Sequence, residues 1–385
     1  MLAYVWIVTY SHSLCTVEFV LSRQSYEWLC DALDMYRPRQ AEYGRLNLQG
    51  TITSKRKLKK LVDDHHVKDW DDPRLYTLVA LRRRGVPPGA LRAFINQLGV
   101  TTSLTTLPLV RLDSTIRQYL EVHTPRLMLV LDPLKVTLEN LPEDYVTMLE
   151  RPCHPKNPAM GTTSVPFTRT VYIDRSDFRE EDSPDYFRLA PGKSVGLLYA
   201  ERPITCTSFR KDESGKVVEV FAKFEDEVFK PKAFIQWVGE HKPSGSPVIV
   251  DEARMFNPLF TTDNPANADD FLADLNPNSL QVAKNAMVEV GIWDVAASGL
   301  KAAREEGKQR EEKAKSAGDA SIPSTDLVGF ECVRFQGLRT AYFCLDKESK
   351  IKSVDEGAEQ VKHSEGDRLV LNTIVGLKED TQKAK

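Results

Sequence analysis

The sequence predicts an α+β protein of more than one domain, in which a small helical bundle precedes an all-β region closed as barrels. A chain of 385 residues is long for a single domain, so two or three domains are expected. Helical periodicity dominates residues 20–121. After Pro125, short strand-like runs follow one another with no helices between them.

The helical part carries start and stop signals around apolar faces. In WDDPRLYTLVALRRRG, the sequence predicts Asp72 as the N-cap, Pro73 as the first helical residue and Gly85 as the stop. Residues 88–98 and 113–122 each repeat large apolar side chains at helical spacing. Together these segments predict the bundle.

The stretch SKRKLKKLV opens a further helix with positive charges where helices usually carry negative ones. Ser54 is a good N-cap residue. Lys55, Arg56 and Lys57 then fill the first turn, at the positive end of the helix dipole. Cations beside free helix amides make a good receptor for a phosphate or polyphosphate. The pattern alone also permits a solvated lysine face or a nuclear-localisation-like run.

The strand-like part begins directly after Pro125. Residues 126–141 combine a continuous apolar run, a break at a proline and an alternating run. Residues 204–224 predict a β-hairpin, with two strand-like runs around a polar turn that contains Gly215. The stretches AFIQWV, CVRFQGLRTAYFCL and RLVLNTIVGL continue this pattern towards the end of the chain.

One segment interrupts the strands. Residues 301–324, KAAREEGKQREEKAKSAGDASIPS, are mixed in charge and contain almost no large apolar side chains. Such a segment buries too little surface to fold alone. We therefore expect a mobile surface insertion at this position.

Composition narrows the class of protein. A formal net charge of −3 excludes a polybasic protein that coats nucleic acid indiscriminately, but it permits a local basic groove. The six cysteines are scattered without a CxxC pair, so reduced thiols and no metal site are expected. The apolar start MLAYVWIVTY is about half the ~20 residues that span a bilayer, and it lacks a basic flank and a cleavage site. We expect a cytoplasmic protein with no membrane segment.

Several long blocks resemble glutaminyl-tRNA synthetases, which are class I aminoacyl-tRNA synthetases. They include EYGRLNLQGTITSKRK, PRLMLVLDPLKVTLENLP, VPFTRTVYIDRSDFRE, YFRLAPGKSVGLL and FQGLRTAYFCLD, and they extend over nearly the whole chain from about Ser11. The resemblance implies a remnant of the catalytic domain with an atypical start in residues 1–36. It implies the KMSKS-type loop and a helical stem-contact bundle in residues 37–124. Two anticodon-binding β-barrels, discontinuous in sequence, are implied for residues 125–385.

The basic stretch matches the KMSKS-type signature of this family. The resemblance implies that Lys55 steadies the phosphates of ATP, bound with Mg²⁺, while glutamine is activated. Ser54 and Arg56 are implied in the same ATP site. A fixed cation there would stabilise the negative charge that the α-phosphate gains in the transition state. Thr53 departs from the methionine that the family usually has.

The second class I signature, HIGH, is absent from this sequence. No His-x-Gly-His occurs, and the family-like text begins at SHSLCTVEF, past the place of that signature. Catalysis needs both halves of the ATP site held together, so the isolated chain is expected not to activate glutamine. The resemblance implies a glutamine–tRNA ligase, with this chain a truncated form that retains anticodon binding. The alternative is a non-catalytic module that recognises the glutamine anticodon without charging the tRNA.

Five residues match family positions that bind the anticodon: Arg126, Tyr186, Arg188, Gln336 and Arg339. Unpaired bases are recognised by stacking and by hydrogen bonds to their edges, and arginine and glutamine offer suitable donors and acceptors. The residues alone also permit arginines at strand rims with buried stems, and a tyrosine in the core. Asp185, Phe187 and Leu198 depart from base-contacting residues found in some members.

The partners that the resemblance implies are tRNA-Gln and, in the complete enzyme, ATP and glutamine. No tightly bound cofactor is expected for this chain, and a monomer is expected.

Overall fold

The computed structural model describes residues 12–316, 329–355, 361–362 and 364–378. Near its start, strand β1 (His12–Thr16) pairs in parallel with β2 (Arg39–Tyr43), and helix α1 (Arg23–Ala32) lies between them in sequence. Helix α1 has no buried side chain.

The predicted helical bundle follows this first unit. Its elements are β3 (Leu46–Leu48), α2 (Lys55–Asp63), α3 (Leu78–Arg83), α4 (Pro88–Leu98), β4 (Thr105–Leu107) and α5 (Leu109–His123). Strands β3 and β4 pair in parallel. The buried side chains of Phe94, Leu112 and Ile116 share one apolar cluster, to which Ile374 near the carboxyl end also belongs. The bundle therefore packs directly on the β-region.

Helix α3 starts later than the sequence predicts. It begins at Leu78, and the Thr77 hydroxyl caps it, whereas Asp72 was the predicted N-cap. The Asp72 carboxylate instead accepts hydrogen bonds from the Arg74 backbone amide and guanidinium, at 2.8–3.0 Å. These bonds fix Asp72 in a turn ahead of the helix. Gly85 follows the helix as predicted, with a φ of 89° that favours glycine.

From residue 126 onward the chain is mainly β-structure. The strands are β5 (Arg126–Leu127), β6 (Leu129–Val130), β7 (Pro133–Leu138), β8 (Val146–Pro152), β9 (Thr162–Thr168), β10 (Thr170–Asp174), β11 (Ser194–Leu197), β12 (Ile204–Lys211), β13 (Val217–Phe224), β14 (Phe234–Ile235), β15 (Trp237–Gly239), β16 (Val248–Phe256), β17 (Leu280–Val288), β18 (Arg334–Gly337), β19 (Ala341–Leu345) and β20 (Val370–Gly376). The hairpin predicted at residues 204–224 is confirmed as β12 and β13.

Two seven-stranded sheets, each nearly closed, confirm the predicted barrels. Barrel A contains β7 and β10–β15, in the order β14-β11-β12-β13-β7-β10-β15. Barrel B contains β16–β20 with β5 and β6, in the order β5-β18-β19-β20-β16-β17-β6. Strands β5 and β6 form the two ends of this order and are neighbours in sequence, so residues 126–130 nearly close barrel B.

The segment predicted as a mobile insertion, residues 301–324, is helical as far as the structure describes it. Helix α6 (Ile292–Ser316) starts in the core of barrel B, where Ile292 and Ala296 are buried. Past Leu300 it is mostly exposed, and Glu–Arg and Glu–Lys pairs at i,i+4 spacing support it. The packed first turns nucleate a helix that the charged part alone would not form. Residues 317–324 lie outside the described residues.

Helix α6 is the longest helix in the described part of the chain, and a last short helix, α7 (Lys352–Asp355), follows β19. None of the described helices combines the length and apolar character that crossing a bilayer requires.

An ion network joins the helical bundle to barrel B. The buried Arg83 guanidinium at the end of α3 pairs with Asp346 at 2.9 Å and with Glu348 at 2.7 Å. Arg254 of β16 lies 2.6 Å from the other oxygen of Glu348. Burial alone would raise the pKa of Glu348, but hydrogen bonds and charges from Arg254, Arg83 and Lys68 lower it to about 2.

Replacing Glu348 with glutamine is expected to lower the stability of the chain at pH 7 by about 1–2 kcal/mol, after discounting for solvent screening. The depressed pKa makes this carboxylate stabilising above its unfolded pKa of about 4.3, and the contribution is lost as the pH falls towards about 2. Melting temperatures of both proteins, measured from pH 7 downward, should therefore converge in acid. A gap that stays constant with pH would contradict the assignment.

Candidate functional site

The basic loop, residues 51–57, leads into the first turn of α2 and exposes two cations there. Ser54 has the extended backbone of an N-cap residue (φ −66°, ψ 120°), but its side chain makes no capping hydrogen bond. Lys55 and Arg56 are exposed, and within the described residues no carboxylate pairs with either. An anion at this helix end would therefore meet two cations and uncapped backbone amides.

Lys57, the third cation of the loop, contacts barrel B instead. Its ammonium donates to the Ala266 carbonyl at 2.6 Å and lies 5.0 Å from the centre of the Phe271 ring. Leu58 and Leu61 on the buried face of α2 belong to the same apolar cluster as Phe271. The segment between β16 and β17 thus supports the loop, a contact that the sequence did not indicate.

The structure brings two of the predicted anticodon residues together. Arg126 and Gln336 are register partners where β5 pairs in parallel with β18. The Nε of Arg126 is buried, and no hydrogen-bond partner for it occurs among the described residues. Gln336 is 8% exposed and lies beside it. This pair offers guanidinium donors next to an amide donor and acceptor, a combination suited to a base edge.

A buried ion pair lies directly behind Arg126. Arg151 of β8 and Glu289, which follows β17, are almost inaccessible to solvent, and their charged groups are in direct contact. Arg151 also donates to the Arg126 carbonyl at 2.7 Å. The Glu289 carboxylate accepts from the Met128 amide at 2.9 Å. The pair ties β8 to residues 126–130 and so fixes the backbone of Arg126.

Two further predicted residues meet around Asp177, at the junction of the barrels. Arg339, in the turn between β18 and β19, donates to both Asp177 oxygens at 3.1 Å. Arg188, between β10 and β11, lies 3.0 Å from one of those oxygens. Asp177 is 3% exposed. Burial raises the pKa of this carboxyl above its ordinary value, and the charges of Arg339 and Arg188 only partly oppose that rise.

Tyr186, the remaining predicted anticodon residue, is buried. The Arg179 guanidinium lies 4.3 Å from the centre of its ring. Its hydroxyl is also buried and has no hydrogen-bond partner among the described residues. Burial raises the pKa of this hydroxyl to about 12. The Tyr186 ring is thus packed inside the protein, as the alternative interpretation has it, and a contact with a base stays a prediction.

The three positions that depart from the family pattern differ in environment. Asp185 and Phe187 are exposed, and the Lys232 ammonium lies 5.3 Å from the centre of the Phe187 ring. Leu198 packs against the core of barrel A. None of the three adds a cation beside Arg188.

Metal binding has no support in the described part of the chain, where no group of three histidine, cysteine, aspartate or glutamate side chains could hold an ion. All six cysteines are free thiols.

Comparison with protein families gives matches in all three regions of the chain. Residues 5–122 match a family described as class I tRNA synthetases (E and Q), catalytic domain. Residues 124–225 and residues 234–299 match two families described as the anticodon-binding domain of the same synthetases. The barrels and these matches define the class, a class I aminoacyl-tRNA synthetase.

Similar curated proteins refine this class. A glutamine–tRNA ligase of Saccharomyces cerevisiae is 44% identical over 382 residues, covering 97% of this chain and 44% of that protein. A glutamine–tRNA ligase protein of Hypocrea virens is 47% identical over 376 residues, which cover 97% of this chain and 52% of that protein. A glutamine–tRNA ligase of Cronobacter sakazakii is 36% identical over 382 residues, which cover 97% of this chain and 59% of that protein. The chain belongs to the glutaminyl-tRNA synthetase family, and it spans about half the length of these relatives.

Proposed function

We propose that the chain binds tRNA-Gln by its anticodon, as the anticodon-binding part of a glutamine–tRNA ligase. The observation that carries this proposal is the register pair of Arg126 and Gln336 in barrel B, whose side chains offer donors that the described chain leaves unused. Arg188 and Arg339 provide a second cationic group at the barrel junction. Single-stranded bases are bound through exposed edges, with cations on the phosphates, and these four side chains supply both kinds of contact.

The basic loop suits the phosphates of ATP in the complete enzyme. Lys55 and Arg56 are exposed at a helix N-terminus, and Lys57 and the apolar cluster under α2 hold the loop in place. ATP, as the substrate with Mg²⁺, supplies the adenylyl group that activates glutamine. In that step Lys55 would hold the phosphates and stabilise the charge that develops on them.

Anticodon binding can be tested by titrating the chain against labelled tRNA-Gln and against the same tRNA with a changed anticodon. The unchanged tRNA is expected to bind at least about tenfold more tightly, because base-edge contacts each discriminate by about 1–3 kcal/mol. Both affinities should fall as salt rises. Equal affinity for the two tRNAs would overturn the proposal.

The alternative, a module that binds tRNA-Gln without charging it, is separated by an ATP–pyrophosphate exchange assay on the purified chain. Glutamine-dependent exchange supports the ligase. Binding of tRNA-Gln without exchange is the result that the module requires. The same proposal includes that the protein is a monomer and acts in the cytoplasm. One relative, from Arabidopsis thaliana, is named as a cytoplasmic glutamine–tRNA ligase.

A further inference from the structure

A single buried carboxylate holds one arginine from each barrel. Asp177 follows β10 of barrel A, and so does Arg188, whereas Arg339 reaches it from the β18–β19 turn of barrel B. Arg339 has a φ of 59°, in the left-handed region that residues other than glycine rarely adopt. Such a conformation persists only when its surroundings hold it. The two-point contact with Asp177 is part of those surroundings.

Asp177 leaves part of each guanidinium available to a ligand. Arg188 uses Nη1 for Asp177 and for the Ser176 carbonyl, and its Nε and Nη2 have no partner among the described residues. Arg339 uses its two Nη atoms for Asp177, each of which carries a second proton. The side chains are 41% and 33% exposed. Both arginines are therefore oriented and still able to donate.

We propose that Asp177 is a positioning residue for base recognition, because its carboxylate fixes Arg188 and Arg339 as one unit and so couples the contacts that the two arginines make with RNA. This inference rests on the proposed function, since it takes tRNA as the ligand of both side chains. Asp177 itself is buried and has the same sign of charge as the phosphates, so it does not contact the RNA.

The charge of Asp177 distinguishes positioning from simple attachment of one barrel to the other. A carboxylate under an RNA-binding surface repels phosphates and partly neutralises the two arginines, which lowers total affinity. Its benefit is orientation, because a carboxylate fixes the plane of a guanidinium through paired hydrogen bonds. Removing this charge should therefore leave unchanged or raise the affinity for a tRNA with the wrong anticodon, while the discrimination between the two tRNAs falls.

The first experiment uses Asp177→Asn in the full chain, with the two tRNAs of the binding assay. The tRNA with the changed anticodon should bind as well as before or up to about threefold more tightly, because a negative charge is gone. The ratio between the two dissociation constants should fall about tenfold. If the carboxylate only joined the barrels, its removal would weaken the binding of both tRNAs by the same factor, and the ratio of the two dissociation constants would stay unchanged.

Glu219→Gln is the matched control. Glu219 is also a buried carboxylate of barrel A that holds two cations, with Lys135 at 3.1 Å and Arg210 at 2.8 Å. It contacts neither arginine of the Asp177 group. Both dissociation constants should stay within about twofold of wild type. A loss of discrimination as large as that of Asp177→Asn would overturn the inference, because any buried carboxylate of the barrel would then have the same effect.

A double-mutant cycle with Arg188→Ala and Arg339→Ala tests the coupling itself. Each single change should also disturb the other arginine, so the double variant should lose about three- to tenfold less affinity for tRNA-Gln than the product of the single losses. In the Asp177→Asn background the losses should become multiplicative. Circular dichroism checks folding; if Asp177→Asn does not fold, the cycle with Asp177 in place decides alone.

The outcomes separate the inference from the function on which it rests. If the wild-type chain does not distinguish the two tRNAs, the proposed function fails. Suppose instead that the wild-type chain does distinguish them. If, with Asp177 in place, the affinity lost by the Arg188→Ala, Arg339→Ala double variant then equals the product of the two single losses within about twofold, only the coupling by Asp177 is refuted.

Discussion

Replacing Glu289 with alanine is expected to destabilise the chain by about 3–5 kcal/mol, because it leaves the charge of Arg151 buried and uncompensated. Both side chains are almost fully buried, and Glu289 also accepts a hydrogen bond from the Met128 amide, which would lose its partner. Urea unfolding followed by tryptophan fluorescence measures the loss. Trp237 in barrel A and Trp293 in barrel B report on the two cores.

The control for Glu289→Ala is the double change Arg151→Met with Glu289→Leu. It removes both charges and fills the space with apolar side chains, a replacement that is often neutral or stabilising. We expect the double variant to lose only about 1–3 kcal/mol, because the buried charge is gone and the remaining loss comes from the Met128 amide and the Arg126 carbonyl, which still lack partners. If the double variant loses as much free energy of unfolding as Glu289→Ala does, the uncompensated charge of Arg151 is not the cause of the destabilisation.

Replacing Arg126 with alanine is expected to weaken binding of tRNA-Gln by about 10- to 100-fold, which corresponds to about 1–3 kcal/mol. The loss should be much smaller for the tRNA with the changed anticodon, because Arg126 is proposed to contact a base edge together with Gln336. The measurement is the same pair of titrations, with melting temperature as the check that barrel B still closes.

Two further variants show whether the contact of Arg126 is specific. Arg126→Lys keeps the charge but loses the planar fork of donors, so discrimination should still fall. Arg210→Ala removes an exposed arginine of barrel A and should weaken the binding of both tRNAs slightly and by the same factor. If Arg126→Lys discriminates as well as wild type, the residue acts only through its charge.

Features that depend on neighbouring residues could be predicted from the sequence. Alternating runs around a polar turn identified the hairpin at residues 204–224, and Ser54 was correctly placed at the start of α2. Local signals failed where a side chain had a better partner nearby. Asp72 was predicted as a helix cap, but the Arg74 guanidinium binds it more strongly than helix amides would.

Helix α6 shows a second reason for failure. Residues 301–316 have too few apolar side chains to fold alone, and the sequence therefore predicted a mobile insertion. The helix extends from turns already packed in barrel B, so nucleation was achieved before the charged part begins. A window confined to the charged segment could not show this.

The candidate site depends on partners far apart in the chain. The resemblance pointed to Arg126 and Gln336 one by one, but only the pairing of β5 with β18 makes them neighbours. Asp177 lies in the block VYIDRSDFRE, yet its partner Arg339 is 162 residues away. Arg151 and Glu289 are 138 residues apart. No local pattern indicates such pairs.

The division of barrel B into two separated parts affects how the protein forms during synthesis. All strands of barrel A lie within residues 133–239, so its sheet can assemble while the rest of the chain is still on the ribosome. Residues 126–130 emerge earlier but stay without their partner strands until β17 and β18 follow. Barrel B therefore waits for the last strand, β20, and its long-range contacts make it the slower of the two to mature.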